Sequence, residues 1–177
     1  MFLLPEFSVK SPFDADPGEL LVIELRKHRA VGIVLAKDQR QTLFGLIATS
    51  ENETAAKAPF AFNLDRQYHS GKECLSYGSD WVLELEAGVE SFPGNREECW
   101  SAGVIYLTSD GPNIYFPSLG ENSLGEGYTF NLATNSLVDN SDRGTPHLAW
   151  RIWAKQSDSI RTGGRPVVTF QARTRTH

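Results

Sequence analysis

A chain of 177 residues, 40% hydrophobic and 22% charged, is long enough to bury a full core without metal or disulfide staples and too apolar to be disordered. Its formal net charge of −5 excludes little beyond non-specific polyanion binding. Two cysteines, Cys74 and Cys99, are too few for the disulfide framework of a small secreted fold. Residues 1–177 are expected to form a single β-domain.

The opening "MFLLPEFSVK" has an apolar patch broken by Pro5 and Glu6 and no basic stretch before it, unlike a secretory signal. No apolar run approaches the ~20 residues that cross a bilayer as a helix. The expectation is a cytoplasmic protein with reduced thiols, in which the sequon at Asn52 carries no weight. "ELLVIELR" (19–26) alternates, with Leu21, Ile23 and Leu25 on one face. "VGIVLA" and "TLFGLIA" are apolar on both faces and flank the polar "KDQR" (37–40), which predicts a hairpin of two buried strands. Ser50 and Glu53 have capping-box spacing and Pro59 ends whatever they start, so "SENETAAKAP" predicts at most two helical turns.

"DWVLELEA" (80–87) places Trp81, Leu83 and Leu85 inward and Glu84 and Glu86 outward. In "GVIYLTSDGPNIYF" (103–116), Asp110-Gly111 lies between two apolar runs, the strongest hairpin signal of the chain. "GYTFNLA" and "PVVTFQARTR" alternate in the same way. About eight to nine short strands, with long loops over 65–80, 88–102 and 117–146, predict an all-β fold. An antiparallel β-sandwich (jelly-roll-like) and a barrel fit this pattern equally, with at most one or two short helical turns. No repeat supports a propeller or solenoid.

Signatures of catalysis are missing: there is no Gly-x-Ser-x-Gly elbow and no phosphate-cradling glycine loop. Cys99 sits beside Glu97 and Glu98, which disfavour a thiolate, and Cys74, with Lys72 on one side and Glu73 next to it, is neutral in this respect. His69, Cys74 and Cys99, with His28 or His147, do not show the paired spacing of structural zinc sites, so neither a metal nor another cofactor is expected. The alternating Glu84 and Glu86 are the candidate acids of an alternative reading, a small hydrolase acting on a saccharide or similar polar substrate. An alternating Leu-Glu strand is equally what any half-exposed strand looks like.

No acidic residue follows Asp158, whereas Arg161, Arg165, Arg173 and Arg175 do. Removing those four from 17 basic residues leaves 13 against 22 acidic ones, so the body carries about −9 and the end +4. This reads first as a charged edge strand, and only then as an anion-binding face; nucleic acid is not the expected partner.

Pro146 and Gly-rich flanks favour a strand for "HLAWRIWAK" (147–155), although proline is allowed in the first turn of a helix. As a strand it divides into an apolar face, Leu148, Trp150, Ile152 and Ala154, and a second face of His147, Ala149, Arg151 and Trp153. A guanidinium two positions from an indole is a plausible contact surface. Trp100, Tyr115 and Tyr128, in or beside long loops, are further binding candidates, against the alternative that they plug the ends of the sandwich. The primary expectation is therefore a non-catalytic module, in which His147, Arg151, Trp153, Trp100, Tyr115 and Tyr128 serve a protein partner, self-association or a carbohydrate-like ligand.

Overall fold

The computed structural model describes residues 7–25, 28–50, 59–69, 71–86, 102–119, 127–139, 144–159 and 164–171. Strands β1 (Ser8–Lys10), β2 (Leu20–Leu25), β3 (His28–Lys37), β4 (Gln41–Thr49) and β5 (Phe60–Asp65) lead to the single turn α1 (Arg66–His69) and β6 (Cys74–Ser76). There follow β7 (Val82–Leu85), β8 (Ile105–Thr108), β9 (Gly111–Pro117), β10 (Gly127–Asn131), β11 (Ser136–Val138), β12 (Thr145–His147) and β13 (Ala149–Trp153). A second single turn, α2 (Gln156–Ser159), precedes β14 (Val168–Gln171).

These strands form three antiparallel sheets, none closed: β1-β6-β2-β3-β4-β5, β11-β10-β9-β8-β12 and β14-β13-β7. The fold is thus an all-β sandwich, and the barrel alternative is removed. Each of the eight to nine expected segments contains a strand. The expected count was too low because β1, β6, β11 and β12 are three residues each, below the length at which alternation is legible, and β5 was overlooked. β5 did carry a signal: Phe60, Phe62 and Leu64 alternate, and all three belong to one apolar cluster. The predicted turns around residues 50–59 lie outside the described residues, except for Ser50 and Pro59.

The core between the layers joins all three sheets. Leu20, Ile33, Leu35, Leu43, Ile47 and Ala61 of the six-stranded sheet meet Ile105, Ile114, Phe116 and Phe130 of the five-stranded sheet and Trp150, Ile152 and Val168 of the three-stranded one. Gly45 makes this approach possible, since a Cβ there would stand 2.8 Å from the Phe116 ring. The six-stranded sheet is apolar on its other face as well. Leu21, Ile23, Ala30, Val34, Phe44 and Leu46 lie there under Phe13 and Ala15, as the two-sided pattern of the β3–β4 hairpin implied. In the β8–β9 hairpin the positive φ falls on Gly111 (122°), while Thr108 Oγ1 donates to the Gly111 carbonyl and braces the turn.

One residue carries the chain from one sheet to another. β12 pairs with β8, with His147 opposite Ile105, whereas β13 pairs with β14 and β7. Leu148 makes the step and packs with Val104, Tyr106 and Tyr115. The segment "HLAWRIWAK" is therefore not one continuous strand, and His147 does not share a face with Arg151 and Trp153.

Candidate functional site

β13 is the central strand of the three-stranded sheet, and its two faces differ as alternation predicts. Inward, Trp150 is fully buried, its indole N–H donates to the Gly103 carbonyl at 2.8 Å, and its ring stacks on Phe170 with centroids 4.9 Å apart. Ile152 joins it in the core. Outward stand Arg151 and Trp153.

The register of β13 on β7 sets Arg151 opposite Glu84 and Trp153 opposite Val82. The two acids that alternation placed outward on β7 thereby come beside the two residues that alternation placed outward on β13. Arg151 Nη2 donates to Glu86 Oε1, and Arg151 Nη1 lies 3.6 Å from Glu84 Oε1. The Trp153 indole N–H donates to the other oxygen of Glu84, at 2.5 Å. Four residues, two carboxylates, a guanidinium and an indole, thus form one hydrogen-bonded cluster with a formal charge of −1. The Arg151, Glu84 and Glu86 side chains remain 35%, 42% and 40% exposed, while Trp153 as a whole is 8% exposed. The Trp153 ring is nearly buried and its N–H holds Glu84, while the charged groups of the cluster meet solvent.

The remaining candidates lie elsewhere. His147 is 1% exposed, and its pairing with Ile105 turns it toward the inner face. Tyr115 is buried on the opposite face of the five-stranded sheet, with Val104, Tyr106 and Leu148, and burial pushes its phenol up. Gly127 faces it: a Cβ there would stand 2.4 Å from the hydroxyl. Tyr128 pairs with Phe116 and packs partly against the main core, on the other face from Tyr115. Trp100, Cys99, Arg161, Arg173 and Arg175 lie outside the described residues. Cys74 is free and buried, its Sγ–H donates to the Lys10 carbonyl, and burial raises its thiol to about 11, which leaves it unreactive. Among the described residues no group of three His, Cys, Asp or Glu is arranged to hold a metal ion, and no helix is long and apolar enough to cross a membrane.

A second polar cluster was not foreseen. Glu19, 7% exposed, accepts from Lys10 Nζ at 2.8 and 3.0 Å, from Ser76 Oγ at 2.5 Å and from the Asp16 amide at 3.0 Å. Burial pushes the Glu19 carboxyl up, but the Lys10 ammonium, the Ser76 hydroxyl and the Asp16 amide outweigh it, so the group stays below its ordinary 4.5. Asp16 in turn meets Lys37 at 2.5 Å, and the Trp81 indole donates to the Gly18 carbonyl. The signal was in the sequence: Glu19 shares its alternation with Leu21 and Ile23, and a carboxylate on an inward stripe demands partners.

The chain was compared with known families, curated proteins and solved structures. None of them matches it. The function must therefore be argued from the site alone.

Proposed function

We infer that this chain is a non-catalytic β-domain that binds a protein partner or a second copy of itself through the outer face of the three-stranded sheet. The observation that carries this reading is the half-exposed Arg151 guanidinium, held between Glu84 and Glu86 beside the buried Trp153 indole. Interfaces concentrate their binding energy in arginine and tryptophan, and a side chain already fixed in place loses little freedom when a partner docks. The cysteine usage and the acidic body fit a cytoplasmic setting.

The hydrolase alternative draws no support from this arrangement. A carboxylate pair that cleaves a glycosidic bond flanks the sugar from opposite sides. Here both carboxylates rise from one strand and converge on one guanidinium.

The test is light scattering on the intact chain and on Trp153→Ala, together with a screen of oligosaccharides for binding and turnover. Association or partner binding that is lost in Trp153→Ala, with the variant still folded, supports the reading. A strict monomer whose every interaction survives Trp153→Ala overturns it, and saccharide turnover abolished by Glu84→Gln establishes the hydrolase instead.

A further inference from the structure

The turn that leads into β2 separates a fixed part of the chain from a part laid over the six-stranded sheet. Pro17 and Gly18 (φ 91°) form its corners, and the Glu19 amide closes it on the Asp16 carbonyl at 3.0 Å. All three sheets meet Gly18. Its amide donates to the Val34 carbonyl of β3 at 2.9 Å, and its carbonyl accepts from the indole of Trp81, next to β7, at 2.8 Å. Asn135, next to β11, lies so close that a Cβ on Gly18 would stand 2.3 Å from its carboxamide.

Residues 8–15 are held differently. β1 and β2 both pair antiparallel with β6, so they run parallel to each other with β6 between them, and residues 11–19 cross from one to the other. The register sets Lys10 opposite Cys74 and Leu21 opposite Ser76, so these side chains share the outer face of the six-stranded sheet. Phe13 and Ala15 lie on the apolar cluster of that face, and the Arg66 guanidinium stands 5.3 Å from the centre of the Phe13 ring. Cys74 belongs to the same cluster and is 3% exposed. Lys10 reaches Glu19 from β1, with side chains 29% and 10% exposed.

We propose that residues 8–15 form a strap that lifts from the six-stranded sheet as a unit while the rest of the sandwich stays folded, with the Lys10–Glu19 pair as its latch. Lifting breaks a ladder of three residue pairs, one lysine–carboxylate pair and the seat of one aromatic ring. The Pro17–Gly18 turn and its three anchors stay in place. Proteins open in such contiguous units at less cost than global unfolding. The open strap gives water access to Leu21, Ile23 and Cys74 together, because all three belong to the cluster that Phe13 and Ala15 cover. Glu19 loses its cation at the same moment and gains solvent in exchange, so the latch breaks without stranding a buried charge. The closed strap is what keeps the Cys74 thiol inert, and the thiol therefore reports the strap.

The experiment is labelling of the intact, folded chain with N-ethylmaleimide, the adduct on the Cys74 peptide being quantified by mass spectrometry apart from that on Cys99. The rate, divided by that of the urea-unfolded chain, gives the open fraction, and circular dichroism in urea gives the unfolded fraction. The open fraction is expected to exceed the unfolded fraction at least about tenfold and to change little in dilute urea, because lifting the strap exposes little surface. Lys10→Met is expected to raise it about tenfold and Phe13→Ala about a hundredfold. Loss of the Lys10 charge alone disfavours the Cys74 thiolate, so a faster reaction reports opening. Lys37→Met breaks the Asp16 pair on the fixed side of the boundary and is expected to change the rate less than about twofold. Four outcomes overturn the strap: labelling that follows global unfolding in every variant, labelling that neither Lys10→Met nor Phe13→Ala accelerates, equal acceleration by Lys37→Met and Lys10→Met, or a wild-type rate equal to that of the unfolded chain.

Discussion

Glu19 and Glu84 both accept from a neutral donor and lie beside a cation, yet their surroundings differ. Glu19 lies at the margin of the six-stranded sheet, nearly sealed from water, and its two oxygens serve Lys10, Ser76 and the Asp16 amide. Glu84 lies on the outer face of the three-stranded sheet, in a cluster whose charged side chains are more than a third exposed. The same kinds of group therefore do different things. The sealed cluster ties the 10–19 segment to β6 and has no capacity left over. In the open cluster water can replace any partner that is lost, and a docking molecule can replace the water. Burial separates a structural clamp from the surface proposed to bind.

Breaking the clamp is expected to have the largest effect. Glu19→Ala leaves the Lys10 ammonium, the Ser76 hydroxyl and the Asp16 amide short of an acceptor and lowers stability by about 3 kcal/mol in urea denaturation. Acid tests the same group without mutation. Because its carboxyl titrates lower in the folded than in the unfolded chain, its contribution is present above pH about 4.5 and is lost as pH falls through the depressed folded value. The wild type should thus lose thermal stability below pH about 4.5 more steeply than Glu19→Gln, as followed by circular dichroism.

The open cluster should respond more weakly. Trp153→Phe keeps the anchoring ring and removes the N–H that Glu84 accepts, for a loss of about 1 kcal/mol. Arg151→Ala is expected to cost less than about 1 kcal/mol, since exposed ion pairs contribute little, while it removes the proposed contact surface. A stability loss at Arg151 as large as that at Glu19 would erase the distinction between the two clusters.

Much of this architecture was legible in the chain. Alternation placed Trp81, Leu83 and Leu85 against the core, put Glu84 and Glu86 outward, and separated Trp150 from Trp153. It also recognised that β3 and β4 are buried on both sides. What alternation lacks is any knowledge of neighbours. Each of the two candidate features, the acids of β7 and the Arg–Trp face of β13, was visible alone; that they are one cluster depends on pairing across more than sixty residues of sequence. His147 was misplaced for a related reason. Period two continues smoothly through Leu148, and nothing local announces that the strand changes sheet there. Three-residue strands such as β6 and β12 escaped because so short a run carries no period, and their pairing depends on partners far along the chain.

The separation between β7 and β13 has a consequence for the order of events during synthesis. Arg151 is 65 residues from Glu86, and Trp153 is 69 residues from Glu84. A nascent chain that has completed β7 holds the acids without their cation, and the sheet is finished only when β14 has been made. Contacts so distant along the chain form late, after their loop entropy has been overcome. The proposed contact surface is thus assembled only once β13 has joined β7, and a chain that has completed β7 alone does not yet display it.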